Sequence, residues 1–512
     1  MKQLTTLLFW AIPILAQAQF TLATNNNTIT IVQYTGTNIA VTIPGTTNDL
    51  SVGAIGTRAF QSCTNLACVT IPDSVTIIGS EAFSGCASLT NVSIGNGVTI
   101  IGSWAFVQCT SLPNVTIGNN VTNIEEYAFQ YCSALTNVTI PNKVISIGDF
   151  AFDGCYGLAS VTIPNSVLSI GEYAFLDCSN LISIAVDANN PSYSSAAGVL
   201  FNQNQTVLVE SPGGLSGGYT VPDRVTNIGS GAFYDCNNLT GVAIANSVIS
   251  IGDYAFYSCL NLAGMTIGTN VTSIGNAAFQ NCPHLTNIII PDSVTNLGVW
   301  AFANCWRVAN VSMGNGLAGI GGFAFYACDG LANVTIPDCV ADIGVYAFLD
   351  CSSLTSVILG SGVTNIEDYA FSGCTFLTAV YAQGNAPSAD CTVFQDDWYI
   401  TLPDYTYHQP TIYCLPNATG WGWTFACEPT ALEYQPSPAI LVNDGNLGVT
   451  TNGFGFTIAW ATNVSVVVLA STNLSNPVWT PLATNPLVNG AIYFSDPQWT
   501  NYPSRYYRII SQ

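Results

Sequence analysis

The sequence predicts a mostly β repeat solenoid with coils of 23 residues, followed by a small C-terminal β-sandwich-like domain. Two regularities predict the solenoid: an Ala-Phe pair recurs every 23 residues within two blocks, and a cysteine follows each phenylalanine by three positions. The period disappears from about residue 439, where short apolar runs alternate with Asn, Pro and Gly turns. The phenylalanines of the pairs are Phe60, Phe83, Phe106, Phe129, Phe152 and Phe175, then Phe233, Phe256, Phe279, Phe302, Phe325, Phe348 and Phe371.

One repeat, from Leu135 to Cys155, shows how each coil is built. Leu-x-x-Val-x-Ile predicts a short strand with its apolar residues on one face, Pro-Asn turns the chain, and Val-x-x-Ile-Gly returns it. The Ala-Phe-x-x-Cys segment then predicts a helical or 3₁₀ turn on the back of the coil. No single unit can bury its own apolar face, so neighbouring coils must stack to form a continuous core.

This repeat resembles the BspA-like class of leucine-rich repeat over roughly residues 50 to 385. The resemblance implies an exported or surface-displayed bacterial protein, of a family in which several members act as adhesins. It carries no catalytic residues, and it implies no cofactor. A bacterial exporter also fits three Asn-x-Ser/Thr sites that would lie on successive coils, because glycans there would collide at strand spacing. These sites are Asn91, Asn114 and Asn137.

The N-terminus predicts a signal peptide over residues 1–18. Lys2 is followed by an apolar run over residues 7–15 and by the small-x-small site Ala16-Gln17-Ala18, so cleavage is expected after Ala18. No later stretch approaches the ~20 uninterrupted apolar residues of a transmembrane helix. The sequence therefore predicts a protein that is secreted or held at the cell surface.

The remaining chain divides into four predicted regions. Residues 19–55 are expected to form an N-terminal capping coil, and residues 56–385 the repeat solenoid. The interval between Phe175 and Phe233 is 35 residues longer than one repeat, and this insertion, at about residues 187–221, is interpreted as a protruding hairpin. Residues 386–434 are expected to form a C-terminal cap, and residues 435–512 the small all-β domain.

The charge balance excludes two classes of partner. The chain has 29 acidic against 7 basic residues and a formal net charge of −22. Nucleic acids and anionic membranes are bound through clusters of Lys and Arg. We therefore expect neither as a partner.

Residues 23 apart should lie above one another at about the 4.8 Å strand spacing, so each periodic position forms a column. The cysteine column faces inward in parallel register, which favours buried free thiols over disulfides. Cys414 and Cys427 lie beyond the periodic region and are the predicted disulfide. No metal site is expected, because no Cys-x-x-Cys occurs and His284 near the column stands alone.

An acidic column runs through Glu126, Asp149 and Glu172. Carboxylates about 5 Å apart have the separation of a retaining glycosidase and could also hold Ca²⁺. Alternatively, each acid caps the free N–H groups of the turn before Ala-Phe. The capping interpretation is favoured.

Two further columns form the candidate ligand surface. An aromatic side chain lies two residues before the phenylalanine in most coils and would offer a stacking platform for glycans or proteins if exposed, or intercoil packing if buried. Hydroxyls on the outer face of the strands form a second column, although Thr is also a good strand residue. The aromatic residues are Trp104, Tyr127, Tyr173, Tyr254, Trp300, Tyr346 and Tyr369, and the hydroxyl residues are Thr70, Thr116, Thr139 and Thr162.

These observations predict a non-catalytic extracellular scaffold that binds a protein or glycan partner. The C-terminal domain would attach it to the cell surface. Two alternatives remain open: a carbohydrate-active enzyme that uses the stacked carboxylates, and a structural surface-layer component.

Overall fold

The computed structural model describes residues 19–25, 27–395, 410–415, 418–422, 424–431, 439–441, 448–450, 453–459, 464–472, 478–487, 491–501 and 504–511. The predicted signal peptide, residues 1–18, lies outside this part of the chain. The chain divides into two compact units. The repeat unit comprises Met1–Thr378 and Pro387–Pro410, and the C-terminal unit comprises Ala379–Ala386 and Thr411–Gln512.

The repeat unit is a β-solenoid of 23-residue coils, as predicted. Most coils have a front strand, from the Leu-x-x-Val-x-Ile segment, and a two-residue back strand before the Gly. The front strands are Ala40–Thr42, Cys68–Ile71, Asn91–Ile94, Asn114–Thr116, Asn137–Val138, Ser160–Ile163, Ser183–Val186, Gly217–Thr220, Leu239–Ala243, Gly264–Thr266, Asn287–Ile289, Asn310–Ser312, Asn333–Ile336 and Ser356–Leu359. The back strands are Ile77–Ile78, Ile100–Ile101, Asn123–Ile124, Ser146–Ile147, Ser169–Ile170, Asn227–Ile228, Ser250–Ile251, Ser273–Ile274, Asn296–Leu297, Gly319–Ile320, Asp342–Ile343 and Asn365–Ile366.

Successive coils pair in parallel with a register offset of one repeat. Val69 lies opposite Val92 in the front strands, and Ile124 lies opposite Ile147 in the back strands. Along most front strands the residues alternate between the solvent and the core, as in Asn91–Ile94, where the second and fourth side chains are buried. The period-2 alternation of the sequence therefore sets which side chains face the interior.

The turn around each Ala-Phe pair is a succession of tight turns, so the predicted helical or 3₁₀ turn is wrong. The residue two before the phenylalanine adopts a left-handed backbone, as at Tyr127 with φ 57°. In most coils the residue two after it does so as well, as at Tyr131 with φ 56°. A right-handed helix cannot contain such residues. The phenylalanine N–H instead bonds to the next coil, as from Phe129 to the Ala151 carbonyl at 2.8 Å.

The phenylalanine column forms the centre of the core. Phe83 and Phe106 stack with ring centroids 5.1 Å apart and an angle of 2° between the ring planes. The stacking continues coil by coil through Phe175, and again from Phe233 to Phe371. The column buries these side chains almost completely, and this burial of apolar surface is the main stabilising contribution of each coil.

Short elements cover the two ends of the phenylalanine column. At the N-terminal end, strands Phe20–Asn25 and Thr28–Tyr34 form an antiparallel hairpin that pairs in parallel with Leu50–Ile55. The last of these strands also pairs with Thr46–Thr47. The Tyr34 ring stacks on Phe60 at 5.0 Å. At the other end, the ring of Phe394 stacks on Phe371 at 5.8 Å.

The insertion forms a three-stranded meander of Tyr193–Ala196, Val199–Asn202 and Val207–Glu210. Its third strand pairs in parallel with the back strand Asn227–Ile228. Val199, Leu200 and Phe201 are fully buried. The insertion was predicted to protrude from the stack, and that prediction is wrong. Its apolar residues extend the solenoid core, because the meander takes the place of a regular coil between the two blocks of repeats.

The C-terminal unit contains small sheets. Thr411–Cys414 pairs in parallel with Ala379–Ala382 and Glu428–Ala431, and the latter pairs antiparallel with Thr424–Phe425. Two antiparallel sheets follow, and Phe456, Ile458, Phe494, Val466 and Val468 from the two sheets share a small core, as a sandwich requires. Their strands are Ala439–Leu441, Gly448–Thr450, Gly453–Ala459 and Ala491–Asp496 in one, and Val464–Ser471, Thr480–Leu487 and Tyr506–Ser511 in the other. The one described helix is the 3₁₀ turn Trp499–Asn501.

Candidate functional site

The predicted aromatic column lies along one side of the repeat unit, which we call the turn face. It comprises the side chains two residues before each core phenylalanine. Every non-glycine residue of this column has a positive φ, between 51° and 62°. This backbone, with one coil stacked on the next, places successive side chains above one another. In the first two coils the column holds Arg58 and Glu81, whose side chains form an ion pair at 2.7 Å.

The column contains two ladders of four stacked rings. In the first, Trp104, Tyr127, Phe150 and Tyr173 stack at centroid distances of 4.0, 5.0 and 5.1 Å. The second repeats this arrangement at 4.0, 4.7 and 5.1 Å and consists of Trp300, Phe323, Tyr346 and Tyr369. Between the ladders the column holds Gly231, Tyr254 and Ala277.

The predicted aromatic residues both pack and remain accessible. Trp104 is 36% exposed and Tyr254 is 41% exposed. The other five, Tyr127, Tyr173, Trp300, Tyr346 and Tyr369, are half-buried. Their faces contact the rings of adjacent coils, while their remaining surface faces solvent. Intercoil packing and a solvent-facing aromatic surface, considered above as alternatives, therefore coexist.

The predicted hydroxyl column lies on the front face. Thr70, Thr116, Thr139 and Thr162 are all exposed. Ser93 lies opposite both Thr70 and Thr116 in the paired strands, so these hydroxyls form one row. None of the front strands that the structure describes contains a charged residue. The front face is thus an ordered and uncharged polar surface.

The cysteine column is a ladder of buried thiols. Except at Cys63 and Cys236, each thiol donates to the carbonyl of the phenylalanine in the preceding coil, as from Cys155 Sγ to Phe129 O at 3.3 Å. Burial raises the pKa of the Cys155 thiol well above its usual value. These thiols are therefore unreactive and structural. The same bond is made by Cys86, Cys109, Cys132, Cys178, Cys259, Cys282, Cys305, Cys328, Cys351 and Cys374.

The predicted disulfide between Cys414 and Cys427 is wrong. Cys414 is a buried thiol at the end of strand Thr411–Cys414, whereas Cys427 is exposed at the hairpin turn beside it and is disulfide-bonded. Cys391 is disulfide-bonded as well. The positions of these three cysteines in the sequence do not show which of them are disulfide-bonded, because that depends on which side chains face the interior of the fold.

The acidic column bonds to backbone N–H groups. The Asp149 carboxylate accepts a hydrogen bond from the N–H of Glu172 at 2.9 Å, and Asp253 accepts one from Asn276 at 2.7 Å. Each of these two aspartates therefore caps an N–H group of the following coil. In this arrangement the two carboxylates join adjacent coils, whereas the capping interpretation placed the bonded N–H groups in the turn that each acid begins.

A cluster of buried and half-buried carboxyl groups, which no sequence pattern predicted, lies where the insertion meets the stack. Burial, together with the negative charge of nearby Asp177, raises the pKa of Asp153 and of Asp235 to about 6. Burial also raises the pKa of Glu210 to about 8. Glu210 Oε1 accepts a hydrogen bond from the Phe175 N–H at 3.0 Å. No sequence motif marks this cluster, since its members come together only through the meander.

Neither metal nor membrane-spanning features occur in the part of the chain that the structure describes. That part has no group of three His, Cys, Asp or Glu residues arranged to hold a metal ion. His284 bonds through Nδ1 to the Leu260 carbonyl at 2.7 Å. Among the same residues, no helix has the length and hydrophobicity needed to cross a membrane.

Comparison with known proteins identifies the repeat. The family model described as BspA type leucine rich repeat region (6 copies) matches residues 51–196, 218–321 and 272–401. Together these matches span more than half of the chain. No curated protein matches it.

Several solved bacterial structures share the fold. A leucine rich cell surface protein from Faecalibacterium prausnitzii is 28% identical, with a TM-score of 0.50, over 72% of this chain and 94% of that one. A leucine-rich repeat protein from Eubacterium ventriosum is 22% identical, with a TM-score of 0.53, over 75% and 94%. The pneumococcal vaccine antigen PcpA is 18% identical, with a TM-score of 0.52, over 71% and 91%.

Proposed function

The chain belongs to the BspA-type leucine-rich-repeat family, and from this premise we propose that it is a non-catalytic scaffold that binds an extracellular protein or glycan partner at the cell surface. The similar protein from Faecalibacterium prausnitzii is described as a cell surface protein. The predicted signal peptide supports the same location. Proteins of this family are repeat scaffolds, and the family match provides no catalytic residues.

One observation carries the proposal: the front face presents exposed, uncharged side chains in register on successive coils. Thr116 and its neighbours sit on short paired strands whose inward residues are locked in the core. A rigid surface of this kind loses little conformational entropy when it binds a partner. Its lack of charge favours a neutral partner surface, bound through hydroxyl and amide hydrogen bonds.

The enzyme alternative has less support. The Asp149 carboxylate is engaged with a backbone N–H, and a glycosidase needs one carboxyl group to act as an acid and another to act as a nucleophile or base. We expect purified protein to release no sugar from polysaccharides. Hydrolysis that Asp149→Asn or Glu172→Gln abolishes would establish the enzyme alternative instead.

The binding test uses the full mature chain against arrays of extracellular proteins and glycans and against intact cells. We expect saturable binding without turnover. The double variant Thr116→Lys/Thr139→Lys places two charges on the front face and should weaken that binding at least about tenfold, a loss of about 1.4 kcal/mol. The control Ile145→Lys adds a charge at a residue that is 46% exposed beside a back strand, and it should bind normally.

Two results would contradict the proposal. One is the absence of saturable binding to every protein, glycan and cell type tested. The other is equal binding by the double variant and the wild-type protein, which would remove the front face from the interaction.

We further propose that the C-terminal unit attaches the protein to the cell surface. It is a separate compact unit that lacks the 23-residue repeat. In a bacterial host that exports the full chain, we expect antibodies to label intact cells. A chain that ends at residue 434 lacks the two antiparallel sheets of this unit and should be recovered from the medium. Labelling of cells by that shorter chain would contradict the assignment.

A further inference from the structure

We propose that the turn face carries a slot for one neutral sugar ring, located above Ala277 between Tyr254 and Trp300. The inference rests on the proposed function, because it names the ligand class of one site on the scaffold. The slot is the place where the aromatic column lacks one ring.

The backbone of the column is continuous across the slot. The Tyr254 N–H bonds to the Asn276 carbonyl, and the Ala277 N–H bonds to the Val299 carbonyl, both at 2.8 Å. The three coils therefore stack like the others, and only the ring at Ala277 is missing. Two steps at the strand spacing separate Tyr254 from Trp300, which is roughly 10 Å. A ring placed midway would lie about 5 Å from each neighbour, which is the spacing within the ladders.

Both walls of the slot are supported from behind. Trp300 stacks on Phe323 at 4.0 Å with an interplanar angle of 5°, and it also contacts the edge of Tyr326 at 5.5 Å. Tyr254 contacts the edge of Tyr257 at 5.8 Å. Among the ring contacts of the described residues, none joins Tyr254 to Trp300. Each wall thus has a ring contact of its own, and Ala277 at the base between the two walls is 3% exposed.

A cavity of about 390 Å³ lies at this position. Besides the two rings and Ala277, it is lined by Val299, Asn276 and Gln280. Asn276 is already engaged: its side chain accepts a hydrogen bond from the Val299 N–H at 3.0 Å, and its backbone N–H bonds to Asp253. The Gln280 side-chain amide forms no hydrogen bond within the described structure. It can therefore both donate to and accept from a ligand hydroxyl.

These features match a pyranose ring. Its C–H faces can stack against the two aromatic rings, while its hydroxyl groups at the rim can reach the Gln280 amide. A phenyl side chain of a protein partner would stack equally well but would leave the amide unused. None of the residues lining the cavity is basic, and the chain is strongly acidic, which disfavours anionic sugars. A cation would require a carboxylate in the slot, whereas the Asp253 carboxylate is bound to Asn276.

The decisive variant is Ala277→Phe, which completes the aromatic column. A phenylalanine is tolerated at this column position, because Phe323 occupies it two coils later with φ 55° against 51° at Ala277. The variant should therefore fold, and its unchanged thermal unfolding checks this. Gln280→Ala removes the polar contact while leaving the slot open. Ile145→Lys, which adds a charge at an exposed residue beside a back strand, is the matched control.

The probes are the neutral hexasaccharides cellohexaose, mannohexaose and chitohexaose, titrated to the full mature chain. Tryptophan fluorescence and calorimetry measure binding. We expect at least one probe to bind with a Kd of about 1 mM or tighter. Ala277→Phe should weaken that binding at least tenfold and Gln280→Ala severalfold, while Ile145→Lys binds the sugar normally.

The inference is overturned if no hexasaccharide binds the wild-type protein, or if Ala277→Phe binds as tightly as wild type. Binding of p-cresol but of no sugar would instead identify the ligand as an aromatic side chain. Binding of tetramethylammonium but of no sugar would identify it as a cation. These outcomes are separate from failure of the scaffold proposal. A protein that binds its array partner through the front face but ignores all three sugars would retain the proposed function and lose the slot.

Discussion

The N–H of the core phenylalanine bonds to one kind of acceptor in the regular coils and to another at the junction with the insertion. In a regular coil the N–H of the core phenylalanine bonds to a backbone carbonyl of the next coil, as from Phe152 to Ala174 at 2.8 Å. At the junction the Phe175 N–H bonds instead to the side chain of Glu210. A carboxyl group therefore replaces the missing carbonyl of the stack.

The neighbouring residue completes the replacement. The Ser211 N–H bonds to the Ala232 carbonyl at 2.7 Å, as a core phenylalanine would. The Ser211 hydroxyl lies 3.0 Å from the thiol of Cys236, which elsewhere in the column would bond to a phenylalanine carbonyl. Backbone N–H and carbonyl groups do not titrate near neutral pH, whereas the buried carboxyl group of Glu210 does. The junction should thus be the pH-sensitive part of an otherwise insensitive stack.

The largest expected effect concerns the regular stack. Phe152→Ala removes a fully buried ring between two stacked neighbours and should lower the free energy of unfolding by about 3–5 kcal/mol. Urea denaturation followed by circular dichroism measures the change. Phe150→Ala, at a half-buried ring of the turn face, is the control and should cost clearly less. Equal losses would show that the core column is not the main source of stability.

The next effect concerns the Glu210 carboxyl, whose pKa is raised from 4.5 to about 8. Between these values the folded protein holds a proton that the unfolded chain releases. Stability contributed by this group is therefore complete below pH 4.5 and is lost as the pH rises through 8. The slope in that window is about 1.4 kcal/mol per pH unit for one group.

Glu210→Gln tests this origin. The glutamine oxygen can still accept from the Phe175 N–H, but it does not ionise. Thermal unfolding from pH 5 to 9 should show the decline with pH for the wild-type protein and a shallower one for the variant, because Asp153 and Asp235 still titrate near 6. Identical profiles would mean that Glu210 does not cause the alkaline loss.

The smallest expected effect is the difference in stability lost when a side-chain hydrogen bond is removed at the junction and when one is removed in a regular coil. Ser211→Ala removes a buried hydroxyl from the Cys236 thiol and should cost about 1 kcal/mol. Thr272→Val removes an exposed hydroxyl that donates to the Ile249 carbonyl of a regular coil, and it should cost less. Chemical denaturation of both variants measures the difference. A larger loss for Thr272→Val would contradict the special role of the junction.

Much of the candidate surface could be predicted because it is periodic. Once the 23-residue repeat is read, Trp104 and Tyr127 must lie on adjacent coils, and so must Thr116 and Thr139. The stacked geometry was harder to predict, because it depends on a left-handed backbone that aromatic residues rarely adopt alone. The slot at Ala277 is visible in the sequence as a missing aromatic residue, but only against the ladder that the structure revealed.

The sequence by itself determined the coil length, the inward residues and the columns, since each follows from a pattern repeated at a constant spacing. Only the tertiary structure decided the path of the insertion, the carboxyl cluster around Glu210 and the state of Cys414. These features occur once, and they depend on contacts between segments whose separation no period specifies. Where the repeat is regular, its period specifies which residues of neighbouring coils contact each other. Where the repeat is interrupted, only the three-dimensional packing determines those contacts.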